Sequence, residues 1–116
     1  MIDAAQFTQA WIRDWNSHDL EAILSHYADN ARFTSPFAKI LTGTAVVEGK
    51  EGLRAYWSEG LKRRPNLRFE LVGQFTGHES ASIHYTDEAG RHAIETMLFD
   101  EAGKVIVSTA CYDRFR

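Results

Sequence analysis

The stretch HAIETMLFDEAGKVIVSTACYD, residues 92–113, decides the fold. Two runs rich in alternating apolar residues flank DEAG, whose Gly103 stands where a short hairpin loop needs a positive φ. On a strand, Ala93, Glu95, Met97 and Phe99 share one face, and His92, Ile94, Thr96 and Leu98 share the other. A four-residue loop at 100–103 sets Ala93, Glu95 and Met97 across from Tyr112, Ala110 and Ser108. A three-residue loop with a bulge shifts that pairing by one. Either way Glu95 is a carboxylate on the side of methionine and phenylalanine.

Working outward, three more segments read as strands: ARFTSPF ending at Pro36, LRFELVGQFTG, and SASIHYTD. SASIHYTD leads through a second DEAG turn into the central hairpin. DAAQFTQAWIRDWNSHD reads as a first helix, with Asp3 as its cap and Phe7, Ala10, Trp11 and Trp15 as its apolar stripe. SHDLEAILSHYADN restarts as a second helix with Leu20, Ile23, Leu24 and Tyr27 aligned. GKEGLRAYWSEGLKRRP is a third helix, with Leu53, Tyr56, Trp57 and Leu61 inward and Pro65 as its stop. AKILTGTAVVEG reads as irregular. The order is helix, helix, strand, helix, then four antiparallel strands. This is an α+β domain with helices gathered on one face of a curved sheet. The other face, with Ile94, Leu98, Val105 and Val107, is left for solvent or a second copy.

The chain of 116 residues suits one domain spanning 1–116. Hydrophobic residues at 44% and charged residues at 25% are ordinary globular values. A net charge of −3 and pI near 5.9 give no general pull toward nucleic acid or acidic membranes. No long apolar run or basic leader opens the chain, so no signal peptide or membrane helix is expected. Cys111 is the only cysteine, which excludes an internal disulfide and fits a reduced, cytoplasmic setting. The five histidines lack metal-ligand spacing, and no glycine-rich phosphate loop is present, so neither a metal nor another cofactor is expected.

The order of elements, with WNSHDLEAILSHYADNARFTSP, VEGKEGLRAYW and ETMLFDEAGKVIVSTACYD, resembles the nuclear transport factor 2-like superfamily, in its SnoaL-like and ketosteroid-isomerase-like branches. The resemblance covers nearly the whole chain. It implies a cone: a curved sheet around a cavity closed by three helices. It also favours the four-residue loop, with Ser108, Ala110 and Tyr112 inward. Members of this superfamily include isomerases, cyclases, dehydratases, epoxide hydrolases and non-catalytic binding proteins, so the pocket residues must carry the function.

Residue by residue, the resemblance implies a mixed inheritance. The position of the isomerase base is Ser35, and that of the isomerase tyrosine is Trp11, neither of which does the same chemistry. The hydrolase aspartate position is Ala110, and Asp113 sits at the strand's end. Only the buried isomerase carboxyl has a counterpart, Glu95, ahead of Phe99 and its turn. In the isomerases that carboxyl stays protonated in an apolar site and donates a hydrogen bond.

The expected pocket therefore has Glu95, His84, Ser82, Ser108 and Tyr112 as polar groups. Trp11, Trp15, Tyr27, Phe33, Phe37, Tyr56 and Trp57 are its walls, and Ser35, Met97 and Ala110 border it. Desolvation raises the pKa of a carboxyl in such walls, fitting Glu95 as an acid or base and His84 as a proton shuttle. The plainer alternative is a structural Glu95, bonded to an arginine or to Ser82, Ser108 or Tyr112. Two functions are expected. One is a domain that binds a small apolar organic ligand, with cofactor-free isomerisation, dehydration or cyclisation. The other is a non-catalytic binding or dimerisation module. A homodimer fits both.

Overall fold

The computed structural model describes residues 2–114. Four helices lie against a curved, unclosed six-stranded sheet of order β2 (Val46–Glu48), β1 (Tyr27–Thr34), β6 (Val105–Tyr112), β5 (His92–Phe99), β4 (Ser80–Thr86), β3 (Glu70–Gly77).

Helix α1, Ala4–Ser17, begins where the Asp3 carboxylate accepts the N–H groups of Ala5 and Gln6. Ala4, Phe7, Thr8, Trp11 and Trp15 are its buried stripe. His18 ends it at φ 61°, and Asp19 then caps α2, Leu20–Leu24. The break between the two helices is therefore a left-handed cap followed at once by a new N-cap. α2 is shorter than its apolar spacing predicts. Tyr27 continues the helical spacing, yet it opens strand β1, Tyr27–Thr34. Pairing with β6 overrides the local pattern there, since the N–H of Val105 donates to His26 O and Tyr27 lies beside Val105.

Pro36 does end β1, but it also starts a helix. Ser35 caps α3, Pro36–Thr42, by accepting the N–H of Phe37, and the proline occupies the first turn, where a missing N–H costs nothing. Gly43 closes this helix at φ 88°. Strand β2, Val46–Glu48, then pairs antiparallel with β1. The segment expected to be irregular thus holds a helix and an edge strand, making four helices instead of three. α4, Gly49–Arg63, buries Leu53 and Trp57, and Arg64 and Pro65 follow it.

Strands β3 (Glu70–Gly77), β4 (Ser80–Thr86), β5 (His92–Phe99) and β6 (Val105–Tyr112) form the expected antiparallel meander. β1 runs parallel to β6, so the whole sheet is mixed. The two DEAG turns are built alike. In each, the aspartate Oδ1 accepts two loop N–H groups, from Ala89 and Arg91 in one and from Ala102 and Lys104 in the other. Gly90 and Gly103 supply φ values of 79° and 78°.

Glu95 pairs with Ala110, Met97 with Ser108 and Ala93 with Tyr112, as the four-residue loop predicts. A register shift between Leu98 and Phe99 brings Phe99 opposite Val105, and Val105 is fully buried. Simple alternation had placed Val105 on the outer face beside Val107. The irregularity turns it inward and leaves Val107 outside.

The core lies between the helices and the concave face. Trp11 stacks on Phe69 at 5.7 Å between ring centroids, Trp15 meets Trp57 edge-on at 5.1 Å, and Tyr27 meets Trp57 at 4.9 Å. Edge-to-face pairs of this kind add to area burial and fix ring orientation.

Candidate functional site

Glu95 is on the concave face of β5, 4% exposed, between Ile83 of β4 and Ala110 of β6. Its two oxygens are separately held. Tyr85 donates its hydroxyl to Oε1 at 3.1 Å, and Ser108 donates to Oε2 at 3.0 Å. No arginine or lysine pairs with it among the described residues. Burial without a cation penalises the charged form, and the two hydrogen bonds offset this only in part, so its pKa rises from 4.5 to about 7. Burial, followed by the nearby Glu95 charge, also pushes the phenols of Tyr27, Tyr56, Tyr85 and Tyr112 upward, which keeps them neutral donors.

Glu95 faces a hollow of about 500 Å³, a size that holds a small organic molecule. Its walls are mainly aromatic: Trp15 from α1, Phe33 from β1, Tyr56 and Trp57 from α4, Phe69 before β3, and Tyr85 and Tyr112 from the sheet. Phe37, Ile40 and Leu41 of α3 form one lip, and Arg63, Arg64, Glu88 and Arg91 contribute to the lining.

Of the residues singled out from sequence, Glu95, Trp15, Phe33, Phe37, Tyr56, Trp57 and Tyr112 come together here. Trp11 and Tyr27 lie behind the wall, where Trp11 Nε1 donates to the Tyr27 hydroxyl at 3.0 Å. Met97 and Ala110 are core residues beneath the floor, and Ser108 reaches the site through Glu95. Ser35 is a helix cap, close enough to Tyr56 and Tyr112 to counter part of the effect of burial on both phenols. Asp113 accepts the backbone N–H of His92 at the strand's end, away from Glu95.

The expected roles of His84 and Ser82 do not hold. Ala81, Ile83 and Tyr85 are the buried residues of β4, and His84 and Ser82 alternate onto the outer face. There His84 Nε2 lies 2.8 Å from His92 Nδ1, and the Ser82 hydroxyl is 2.9 Å from that of Thr96. A one-residue change of register across a strand pair exchanges its faces. The turn Asp87–Arg91 brings Thr86 opposite His92, and with no bulge in this hairpin Ile83 must face Glu95. Tyr85 takes the place given to His84 and was missed. The DEAGR turn held the signal, because its Asp and Arg fix the register once they are read as the two ends of the loop.

The chain matches the SnoaL-like domain model over residues 8–116. It belongs to the SnoaL-like family. This SnoaL-like domain is 41% identical to a SnoaL-like protein of unknown function from Burkholderia thailandensis E264, with a TM-score of 0.93 over 96% of this chain and 94% of that one. A putative isomerase of the SnoaL-like family from Agrobacterium tumefaciens C58 shares 18% identity and a TM-score of 0.77, covering 96% of this chain and 97% of that one. SalBIII, an epoxide hydrolase/cyclase-like enzyme of pyran ring formation in salinomycin, shares 16% identity and a TM-score of 0.74, covering 94% of this chain and 89% of that one. The last two likenesses establish the nuclear transport factor 2-like cone and nothing of the chemistry. No curated protein sequence matches this SnoaL-like domain.

Proposed function

We propose that this SnoaL-like domain binds a small, largely apolar organic molecule in the aromatic hollow and moves a proton on it through Glu95. The reaction class is cofactor-free isomerisation, dehydration or cyclisation. One observation carries this reading: a carboxyl with no cationic partner among the described residues, gripped at both oxygens, set against a cavity and titrating near neutrality. A group with that pKa is populated in both forms at neutral pH, which suits general acid–base work. Tyr85 and Ser108 both act as donors to Glu95. When Glu95 is protonated, its own O–H is therefore the spare donor for a ligand oxygen. When it is ionised, it is the base.

The same grip supports the second reading, a binding module in which Glu95 only orients ligand. A panel of small enones, epoxides and hydroxy-ketones incubated with the protein and followed by mass spectrometry separates the two. In the catalytic reading, Glu95→Gln retains binding and loses turnover by about 100-fold or more. Undiminished turnover by that variant sinks the proton-transfer role. Binding without conversion across the panel favours the module.

The homodimer belongs to this proposal as well. The outer sheet face exposes Phe75 at 64%, Ile94 and Leu98 at 46% each and Val107 at 39%. These side chains sit around the Ser82–Thr96 bond on neighbouring strands, an apolar patch that a second copy would cover.

A further inference from the structure

The hollow is unequal at its two ends. Its floor carries Glu95 beside neutral hydroxyls, and its lining also includes three arginines. The arginines differ in what occupies them. Arg63 Nε donates to Glu59 at 3.0 Å. Arg64 Nη2 donates to Asp87 at 3.1 Å and to both oxygens of Glu88, at 3.0 and 2.9 Å. Arg91 is far less committed. Among the described residues its side chain makes one hydrogen bond, from Nη1 to Asp87 Oδ2 at 3.4 Å, and its Nε is buried with no partner.

Asp87 cannot easily give more. Its Oδ1 already accepts the N–H groups of Ala89 and Arg91 at 2.9 Å each, and its Oδ2 is closer to Arg64 than to the Arg91 guanidinium. A guanidinium carries five donors in a rigid fork that suits a carboxylate, and among the described residues one of them is used, at 3.4 Å. The fork is also held in place. Its carbon lies 4.9 Å from the centroid of the Phe37 ring, and Phe37 packs edge-on against Tyr112 at 4.8 Å. A cation stacked on an aromatic lip is oriented before the ligand arrives, which lowers the ordering cost of binding.

We infer that the ligand is an organic acid: its carboxylate pairs with Arg91 beside Phe37, and its apolar body runs along the aromatic wall toward Glu95. The inference rests on the small-molecule reading of the same hollow and adds the ligand's class and its orientation. The opposite orientation sets two carboxyls against each other in a buried site, which ionisation disfavours strongly.

The test is isothermal titration calorimetry at neutral pH with three matched probes: naphthylacetic acid, its primary amide, and naphthylethylamine. The wild-type protein binds the acid at least about tenfold more tightly than the amide, and the amine most weakly. Arg91→Gln abolishes the preference for acid over amide, and Arg91→Lys keeps part of it. Circular dichroism shows that the variants are folded. If the amide binds wild type as tightly as the acid, or if the preference survives in Arg91→Gln, the acid assignment is overturned while the binding pocket stands. If none of the three probes binds, both the inference and the small-molecule reading fall. Loss of the preference in Arg91→Gln and its partial retention in Arg91→Lys, with amide binding intact in both, supports it.

Discussion

At the scale of single residues, Glu95 makes the molecule's stability depend on pH. Its folded pKa, about 7, lies above the unfolded value of 4.5, so the folded state binds the proton more tightly. The contribution is fully present below pH 4.5 and is lost as pH rises through about 7. The loss amounts to about 3 kcal/mol across that range. Urea unfolding at pH 5 and pH 8 should therefore show wild type weakening with rising pH, and Glu95→Gln should flatten the slope. A slope unchanged in the variant assigns the pH dependence to other groups. Tyr85→Phe removes one of the two donors that favour the ionised carboxyl. The Glu95 carboxyl resonance in carbon NMR should then titrate at higher pH than in wild type, and stability at pH 8 should fall by about 1–2 kcal/mol. An unmoved midpoint means that Tyr85 does not tune Glu95.

At the scale of elements, the two DEAG hairpins fix which side chains reach the floor. Gly103 sits at φ 78°, and a Cβ there would lie 3.9 Å from Ile2 Cδ1, an ordinary contact, so a substitution meets a backbone penalty and no clash. Gly103→Ala should cost about 1 kcal/mol in chemical denaturation with the β5–β6 register intact. A neutral or stabilising result shows that the loop relaxes to negative φ. The hairpins also mark where sequence reasoning succeeds and fails. The pairing of Glu95 with Ala110 was legible, because loop length and alternation sufficed. The inward face of β4 needed the turn as well: with Asp87 and Arg91 as the loop ends, Ile83 falls opposite Glu95, which sets Ala81, Ile83 and Tyr85 inward and Ser82 and His84 outward. The α3 helix was hidden for a different reason. Ser35-Pro36 is equally a strand end and a helix start, and here it is both.

At the scale of the whole molecule, the proposed association rests on the convex face. Phe75, Ile94, Leu98 and Val107 are too exposed to belong to the core and together form an apolar surface. In the proposed homodimer, Ile94→Glu shifts the mass measured by light scattering from two chains to one while leaving the hollow and its ligand affinity intact. A wild-type protein that is monomeric at micromolar concentration refutes this assembly. Among the described residues no helix is long and apolar enough to cross a membrane.

The sequence by itself determined the secondary elements that carry strong periodicity, the family-like order of helices and strands, and the anomaly of a carboxylate at position 95 among apolar neighbours. Those features are local, set by side-chain spacing, caps and turn glycines within a few residues. Tertiary structure alone decided what surrounds that carboxylate. Tyr85 and Ser108 hold it, His84 is on the far side of the sheet, and Arg91 stacks on Phe37 at the cavity's lip. Each of these contacts depends on registers, a bulge and a capped helix acting together. A one-residue change of strand register exchanges the faces of a strand, so these contacts form only when every register is in place at once.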